Sequence, residues 1–436
     1  MPRQFEESEI VEDNPVIALF FVLGIMIIAS RIGGTSARRF RQPRVLGELI
    51  VGILLGPTLL DFLHLNLFDL KQAELSETIH QLAELGVLLL MFKVGLDVHL
   101  KELAKVGNVA IVAGLVGAIL PVLMTVPLAM AFGEKWQPAI LAGVVLSATS
   151  VSISAQVLLE IGVLRTKEGN ALLAAALVDD IVAILLVSLA IPLTSGGQIH
   201  AVELAEIVLH MVLYLVGALV VAWFGIARLI NWLNQWPDIK ASYGIPAIAL
   251  VLALFFGWSA AYLGGIASIT GAFIAGLGLS RAHESVKHQI DVATTNIAYA
   301  FLVPVFFISV GLQTDLSIFP LSALPFAILL LIVAVASKVL GCGVGANLTG
   351  FTRQESLRLG VCMVSRGEVG LIIASLGLSS GVFIADDPLF ASLFLVIILT
   401  TVMTPPLVRR SFHESTPVRE VNRKNVQTGS SDYRPD

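Results

Sequence analysis

One apolar stretch, residues 172–192, carries two adjacent aspartates near its middle and constrains the fold more than any other part of the sequence. It reads LLAAALVDDIVAILLVSLAIP, and the two acids are Asp179 and Asp180. The stretch is long enough to cross a bilayer as a helix. A carboxylate at that depth is costly without a partner or water, and acids inside membrane helices mark ion or proton pathways by default. We therefore interpret the pair as functional, the alternative being a buried pair held for packing specificity.

The composition supports a membrane setting. Of the 436 residues, 56% are hydrophobic and 14% are charged, whereas soluble domains carry about 25% charged residues. The mean hydropathy is +0.88. Both cysteines, Cys342 and Cys362, lie in apolar sequence, so no disulfide framework is predicted. The acidic N-terminus lacks the basic region of a signal peptide, and we expect the first apolar segment to be a retained span.

Apolar segments along the chain predict an all-α polytopic membrane protein with about thirteen transmembrane helices. An odd number of spans places the two termini on opposite sides of the membrane. The predicted spans are residues 15–32, 45–63, 81–98, 106–131, 138–161, 168–194, 203–232, 243–261, 264–280, 294–313, 321–347, 355–381 and 388–408.

Basic residues are distributed very unequally between the loops on the two sides. Of the 27 lysines and arginines, 21 fall in one set of alternating loops and the C-terminal tail, and three fall on the other side. By the positive-inside rule the C-terminus is cytoplasmic and the N-terminus is outside. The remaining three lie within spans: Lys93, Lys338 and Arg366.

The depth of the charged residues can be compared between spans. At the helical rise per residue, Asp180 lies roughly 18 Å from the cytoplasmic start of its span, and Lys338 lies roughly 15 Å from the cytoplasmic end of its own. An acid pair and a lysine therefore share one level near the midplane. We predict that Lys338 pairs with Asp179 or Asp180, with snorkelling to the interface as the alternative.

Two predicted spans contain polar runs at the same depth. Residues 147–154 read SATSVSIS and include the candidate site residues Thr149, Ser150 and Ser154. Residues 365–370 read SRGEVG. Hydroxyl side chains compete for helical backbone groups, and we predict that both helices are interrupted, so that half-helix dipoles and free carbonyls can face an ion. Small residues for tight helix packing would explain the serines alone.

The charges of the second polar run need partners. We expect Arg366 and Glu368 to pair with each other or with the opposite interrupted helix.

The order of these features also repeats along the chain: an interrupted span is the fifth in spans one to six and again in spans eight to thirteen. An offset of seven spans inverts the orientation, which predicts inverted six-helix repeats with span seven as linker. Corresponding interrupted segments in two halves indicate a transport site.

These residues resemble a known family, the monovalent cation:proton antiporters, in the branch of bacterial electrogenic sodium/proton exchangers with an Asp-Asp motif. The resemblance covers nearly the whole chain, from residues 42–48 (QPRVLGE) and the glycine-rich residues 52–57 to the last span. Its most specific match is Val178-Asp179-Asp180 with Lys338 in the eleventh span. Electroneutral relatives tend to have Asn-Asp at this motif, and glutathione-gated potassium exporters have Gln-Asp.

The resemblance implies roles for the site residues. It implies that Asp180 binds the cation and that Asp179 forms a switchable pair with Lys338. A monovalent cation needs oxygen ligands, which Asp179, Asp180, Thr149 and Ser150 can supply. One departure from the family pattern is Lys93, near the cytoplasmic end of span three. We expect its side chain to snorkel to the membrane interface, with a regulatory role as the alternative.

The resemblance also implies two domains that slide past each other. Residues 15–105 and 243–313 form the predicted dimerisation domain, and residues 106–194 and 321–408 form the predicted core domain, which carries the ion. The flanking parts are an extracytoplasmic segment, a linker helix and a cytoplasmic tail, at residues 1–14, 203–232 and 409–436.

The sequence therefore predicts a homodimeric secondary transporter, not an enzyme, that exchanges Na⁺ (and Li⁺) for protons across a bacterial inner membrane or an equivalent energised membrane. It predicts no cofactor and no nucleic-acid partner. A K⁺/H⁺ antiporter of the same fold is the first alternative, and a sodium-coupled organic anion symporter is the second. A channel would not require a titrating acid–lysine pair. An ATP-driven pump is disfavoured because no phosphate-binding loop is visible.

Overall fold

The computed structural model describes residues 15–64, 72–195, 201–237, 243–313, 319–384 and 387–412. Throughout these residues the regular secondary structure is helical and contains no strand, which confirms the all-α prediction. The predicted segment 1–14 and the tail beyond Phe412 lie outside the described residues. The helices are α1 (Pro15–Arg39), α2 (Arg44–Leu55), α3 (Gln72–Asp97), α4 (Leu100–Lys105), α5 (Gly107–Ala131), α6 (Trp136–Ser147), α7 (Val151–Glu160), α8 (Lys167–Ser195), α9 (Ala201–Val221), α10 (Ala227–Leu233), α11 (Gly244–Tyr262), α12 (Ser268–Leu279), α13 (Glu284–Ile297), α14 (Val303–Leu312), α15 (Leu324–Leu348), α16 (Arg353–Cys362), α17 (Glu368–Ser379) and α18 (Pro388–Phe412).

Ten helical stretches within the described ranges are long and apolar enough to cross a membrane. One of them combines α6 and α7, and two others continue through π-helical turns at Ala222–Ile226 and Ala298–Leu302. Two further apolar helices are shorter, at Ser268–Leu279 and Val369–Ser379. By length and composition, these helices fit the predicted polytopic membrane protein.

The second predicted span, residues 45–63, is wrong in its length. Helix α2 ends at Leu55, and the chain then turns before a short 3₁₀ helix at residues 62–64. Gly56 is already extended, with φ −73° and ψ −176°. The residue after it is Pro57, and a residue that precedes proline is disfavoured in helical conformation. Apolar composition continues past this break, which is why hydropathy alone extended the span.

Buried apolar side chains form three clusters whose membership follows the helix packing. One cluster, around Leu141, Leu330 and Val396, draws on α5, α6, α8, α15, α17 and α18. Another, around Met26 and Ile308, draws on α1, α3 and α14 with the short 3₁₀ helix. The largest cluster joins residues from both groups of helices. Helix α5 packs along α15, and α3 packs along α12. Two of the interrupted half-helices pack on the first pair, α6 on α5 and α16 on α15.

Candidate ion-binding site

The two polar runs interrupt their helices and meet each other. Helix α6 ends at Ser147 and α7 begins at Val151, with Ala148 and Ser150 extended between them. Helix α16 ends at Cys362 and α17 begins at Glu368. The Ser150 amide donates to the carbonyl of Ser365 at 2.9 Å, and the Ser365 hydroxyl donates back to the Ser150 carbonyl at 2.6 Å. Backbone groups freed by the interruptions are therefore satisfied at the crossing, by one backbone pair and one serine hydroxyl.

Side chains strengthen this crossing. The Ser154 hydroxyl donates to the Cys362 carbonyl at 2.5 Å and lies 3.0 Å from the Ser365 hydroxyl. Glycine is needed at position 367, because a Cβ there would lie 2.8 Å from Ser150 Oγ. Through its two hydrogen bonds, Ser154 joins the two interrupted segments.

Arg366 is fully buried and binds the end of the opposite half-helix. Its Nε donates to the Leu146 carbonyl at 2.9 Å, and its two terminal nitrogens donate to the Val364 and Ala334 carbonyls at 2.9 and 2.8 Å. The C-terminal end of a helix carries a partial negative charge, so the guanidinium compensates the end of α6. Of the two partners expected for Arg366, the structure shows the opposite interrupted helix. The side chain of Glu368 lies outside the described atoms.

Lys338 and Asp179 form a fully buried ion pair beside the crossing. Lys338 Nζ donates to Asp179 Oδ1 at 2.9 Å, and their side chains are 0% and 1% exposed. The second carboxylate oxygen, Asp179 Oδ2, is buried and accepts no hydrogen bond from any described residue. An orphaned carboxylate oxygen is costly in such surroundings, and it is available to a cation.

Thr149 and Ser150 differ in what their hydroxyls do. Thr149 Oγ1 is buried and has no hydrogen-bond partner within the described residues. The Ser150 hydroxyl lies 3.1 Å from that of Ser152. Thr149 therefore offers a free oxygen at the interruption, whereas the Ser150 hydroxyl is already engaged.

Asp180 is half-buried and faces a different group of helices. Its Oδ2 accepts a hydrogen bond from the hydroxyl of Thr270 on α12 at 3.0 Å. The two groups line a space of about 10 Å³, otherwise bounded by apolar side chains such as Met91, Leu177 and Phe273. Sequence reasoning missed Thr270, because a single hydroxyl on an apolar helix carries no pattern that distinguishes it from a packing residue.

A larger cavity of about 810 Å³ opens on one face of the protein. It lies between α3, α12, α14 and α17 and is lined by residues that include His80, Glu84, Ile269, Gln313 and Ser375. Ile269 also lines the small space at Asp180. One residue therefore borders both the open cavity and the acid.

On the opposite face, polar contacts reach α7 and the loop that follows it. The Tyr299 hydroxyl donates to Gln156 at 2.7 Å, and an Arg165 nitrogen donates to Asp97 at 3.0 Å. The amide of Arg44 lies 2.9 Å from each carboxylate oxygen of Glu160. These three contacts join the predicted core domain to the predicted dimerisation domain.

Lys93 does not snorkel, which corrects the expectation from sequence. Its side chain is 9% exposed, and its Nζ lies 2.8 Å from Asp97 and 2.5 Å from Asp291. Two acids supply the counter-charge, so the lysine has no need to reach water. Asp97 thus contacts both Lys93 and Arg165.

Comparison with known proteins identifies the family. The family described as the transmembrane sodium/hydrogen exchanger matches residues 23–410. The chain belongs to the sodium/hydrogen exchanger family. It is a multi-pass integral membrane transporter and not an enzyme, and the resemblance to the cation:proton antiporter family is confirmed.

Individual relatives agree with this family assignment. The Na⁺/H⁺-K⁺ antiporter GerN of Bacillus cereus is 36% identical, over 90% of this chain and 96% of its own. A Na⁺/H⁺ antiporter of Enterococcus hirae is 34% identical, over 89% and 96%. The solved structure of the sodium proton antiporter MjNhaP1 from Methanocaldococcus jannaschii at pH 8 has the same fold, with a TM-score of 0.66 at 16% identity over 92% of this chain and 98% of that one.

Proposed function

We propose that this sodium/hydrogen exchanger moves Na⁺ in exchange for protons at Asp180, with Asp179 and Thr149 as further ligands and Lys338 as the partner of Asp179. The observation that carries the proposal is the buried Lys338–Asp179 pair beside the crossing, in which one carboxylate oxygen is left free. A buried acid–lysine pair with an open ligand position is a functional site by default in a membrane protein.

The exchange follows from competition at one carboxylate. A cation needs the ionised form of Asp180, and a proton neutralises it, so the two cannot occupy the same oxygens together. Thr149 Oγ1 and Asp179 Oδ2 supply the unpaired oxygens that a desolvated cation requires. Arg366, Ser150 and Ser154 hold the crossing in place around them. This chemistry uses only the chain, the cation and protons, and it calls for no cofactor.

Alternating access is assigned to sliding of the predicted core domain along the predicted dimerisation domain. Support comes from the apolar clusters, since two of the three lie each within one predicted domain. A cavity on one face and polar contacts on the other are the arrangement of a transporter open to one side. The proposal includes the arrangement of the helices. Thirteen spans form two inverted repeats, and residues 203–232 link them.

Orientation and assembly are proposed from the same features. The positive-inside rule places the C-terminus in the cytoplasm and the N-terminus outside, so the open cavity faces outward. The protein lies in a bacterial inner membrane or its equivalent and forms a homodimer through the predicted dimerisation domain. We expect the protein to transport Li⁺ as well as Na⁺. K⁺ is the alternative cation, because the Bacillus cereus relative is named a Na⁺/H⁺-K⁺ antiporter.

Ion flux in proteoliposomes tests the function. Purified protein is reconstituted with an internal pH dye, and Na⁺, Li⁺ or K⁺ is added outside. We expect Na⁺ and Li⁺ to drive proton movement in the opposite direction, with K⁺ weaker. Proton movement with K⁺ alone would make the protein a potassium exchanger. Sodium uptake without proton movement would contradict antiport and favour a symporter.

A further inference from the structure

Thr270 lies across a domain boundary from the acid that it contacts. Asp180 belongs to α8 in the predicted core domain, and Thr270 belongs to α12 in the predicted dimerisation domain. The hydroxyl donates to Asp180 Oδ2 at 3.0 Å, and the threonine is 5% exposed. A hydrogen bond to the proposed ion carrier therefore comes from the part of the protein against which the carrier moves.

Helix α12 holds this hydroxyl firmly in place. A Cβ at Gly271 would lie 2.0 Å from the Phe256 carbonyl, and one at Gly276 would lie 2.0 Å from the Phe92 carbonyl. The helix is therefore in backbone contact with both α11 and α3. A side chain on a closely packed element keeps its position, so Asp180 meets a fixed donor.

The space that the two groups line together is small. Its volume of about 10 Å³ admits one water-sized particle. Its remaining lining is apolar and includes Met91, Val151 and Phe273. Within this space the Oδ2 atom of Asp180 already accepts the hydrogen of the Thr270 hydroxyl.

We propose that Thr270 is a positioning residue that holds the cation-free, ionised Asp180 against the predicted dimerisation domain. The inference rests on the function proposed above and extends it. The Thr270 hydroxyl occupies one acceptor position of Oδ2, and its hydrogen repels a cation, so a cation that approaches that position has to displace the hydroxyl. The same hydrogen bond breaks whenever the core domain slides. Thr270 thus opposes movement of an empty, charged carrier and weakens cation binding in this conformation.

Two variants separate the hydroxyl from the shape of the side chain. Thr270→Val keeps the shape and removes the donor, and Thr270→Ser keeps the donor. Thr294→Val is the matched control, because Thr294 is a buried threonine of the same predicted domain whose hydroxyl has no partner among the described residues. Thr270→Ala repeats the test if the valine variant does not insert.

Two measurements are made on each purified full-length variant. The first is the Na⁺ concentration that half-saturates proton movement in proteoliposomes, together with the maximal rate. The second is the Na⁺ concentration that half-saturates protection against thermal unfolding, which reports binding without transport. We expect Thr270→Val to lower both half-saturating concentrations about tenfold, the lower end for a hydrogen bond to a charged group, with a smaller change in maximal rate. Thr270→Ser and Thr294→Val should match the wild type.

Other outcomes count against the inference. Half-saturating concentrations equal to those of the wild type would show that the hydroxyl only packs. Higher values in Thr270→Val would make the hydroxyl a cation ligand and contradict the competition. Absence of cation-driven proton movement in the wild-type protein would instead overturn the proposed function. The wild-type measurement therefore distinguishes failure of the proposed function from failure of this inference.

Discussion

Thr149 has a buried hydroxyl oxygen without a hydrogen-bond partner in the described part of the chain. We expect Thr149→Ala to raise the half-saturating Na⁺ concentration and to leave the maximal rate nearly unchanged, because a ligand oxygen is lost while the titrating acids remain. Thr125→Ala is the control, since Thr125 is equally buried and its hydroxyl is also unpartnered among described residues. Equal half-saturating concentrations in Thr149→Ala and wild type would assign Thr149 to packing.

Lys338 is buried with Asp179 and has no inexpensive route to water. When a cation draws on the carboxylates, the lysine loses part of its counter-charge and can give up its proton. Two protons against one monovalent cation would make exchange electrogenic. We therefore expect wild-type exchange to respond to membrane voltage, and Lys338→Gln to reduce that response in potential-clamped liposomes. Identical voltage dependence in both proteins would leave Lys338 a structural partner.

The same substitution has a consequence for stability. Removing one member of a buried ion pair costs about 3–5 kcal/mol, because the other charge is left uncompensated. The midpoint of thermal unfolding should therefore be lower in Lys338→Gln than in the wild type. The double variant Asp179→Asn/Lys338→Gln should recover part of the lost stability. Equal stability of all three proteins would mean that the pair contributes little in this setting.

Among the helices, the crossing depends on close approach. A Cβ at Gly367 would lie 2.8 Å from Ser150 Oγ and 2.9 Å from Ser150 Cβ. We expect Gly367→Ala to destabilise the protein by about 1–3 kcal/mol through overpacking, measured as a lower midpoint of thermal unfolding. Gly217→Ala is the control, because a Cβ there meets nothing within 4 Å. A midpoint unchanged in Gly367→Ala would show that the segments can move apart freely.

How much of this arrangement the sequence predicts depends on the kind of signal. Hydroxyl and charge runs inside apolar segments predict both interruptions, since such residues are costly in a continuous membrane helix. Depth along two helices places Lys338 level with Asp179. Thr270 and the buried environment of Lys93 depend on which helices pack together, and a single sequence carries no pattern for those contacts. Helix α2 is short because the chain turns at Gly56 and Pro57. The sequence contains this local signal, but the apolar residues that follow it led to a longer predicted span.

At the scale of the whole molecule, polar contacts on one face join the two predicted domains. Both Glu160 oxygens contact the amide at the start of α2, where a helix dipole favours an anion. We expect Glu160→Gln to weaken this contact and to speed amide hydrogen exchange at residues 44–46 about fivefold, as local opening becomes easier. Glu102→Gln is the control, because Glu102 pairs only with an exposed lysine in the described contacts. Unchanged exchange in Glu160→Gln would place the closure elsewhere.

In the proposed function one carboxylate, Asp180, carries a cation and a proton in turn. The decisive measurement is sodium-driven proton movement by purified Asp180→Asn in proteoliposomes, with the thermal unfolding midpoint measured with and without Na⁺ in the same preparation. We predict a folded protein with no sodium-dependent proton movement and no stabilisation by Na⁺, whereas the wild type shows both. Normal exchange by the purified variant would contradict the claim and move the carrier to another residue.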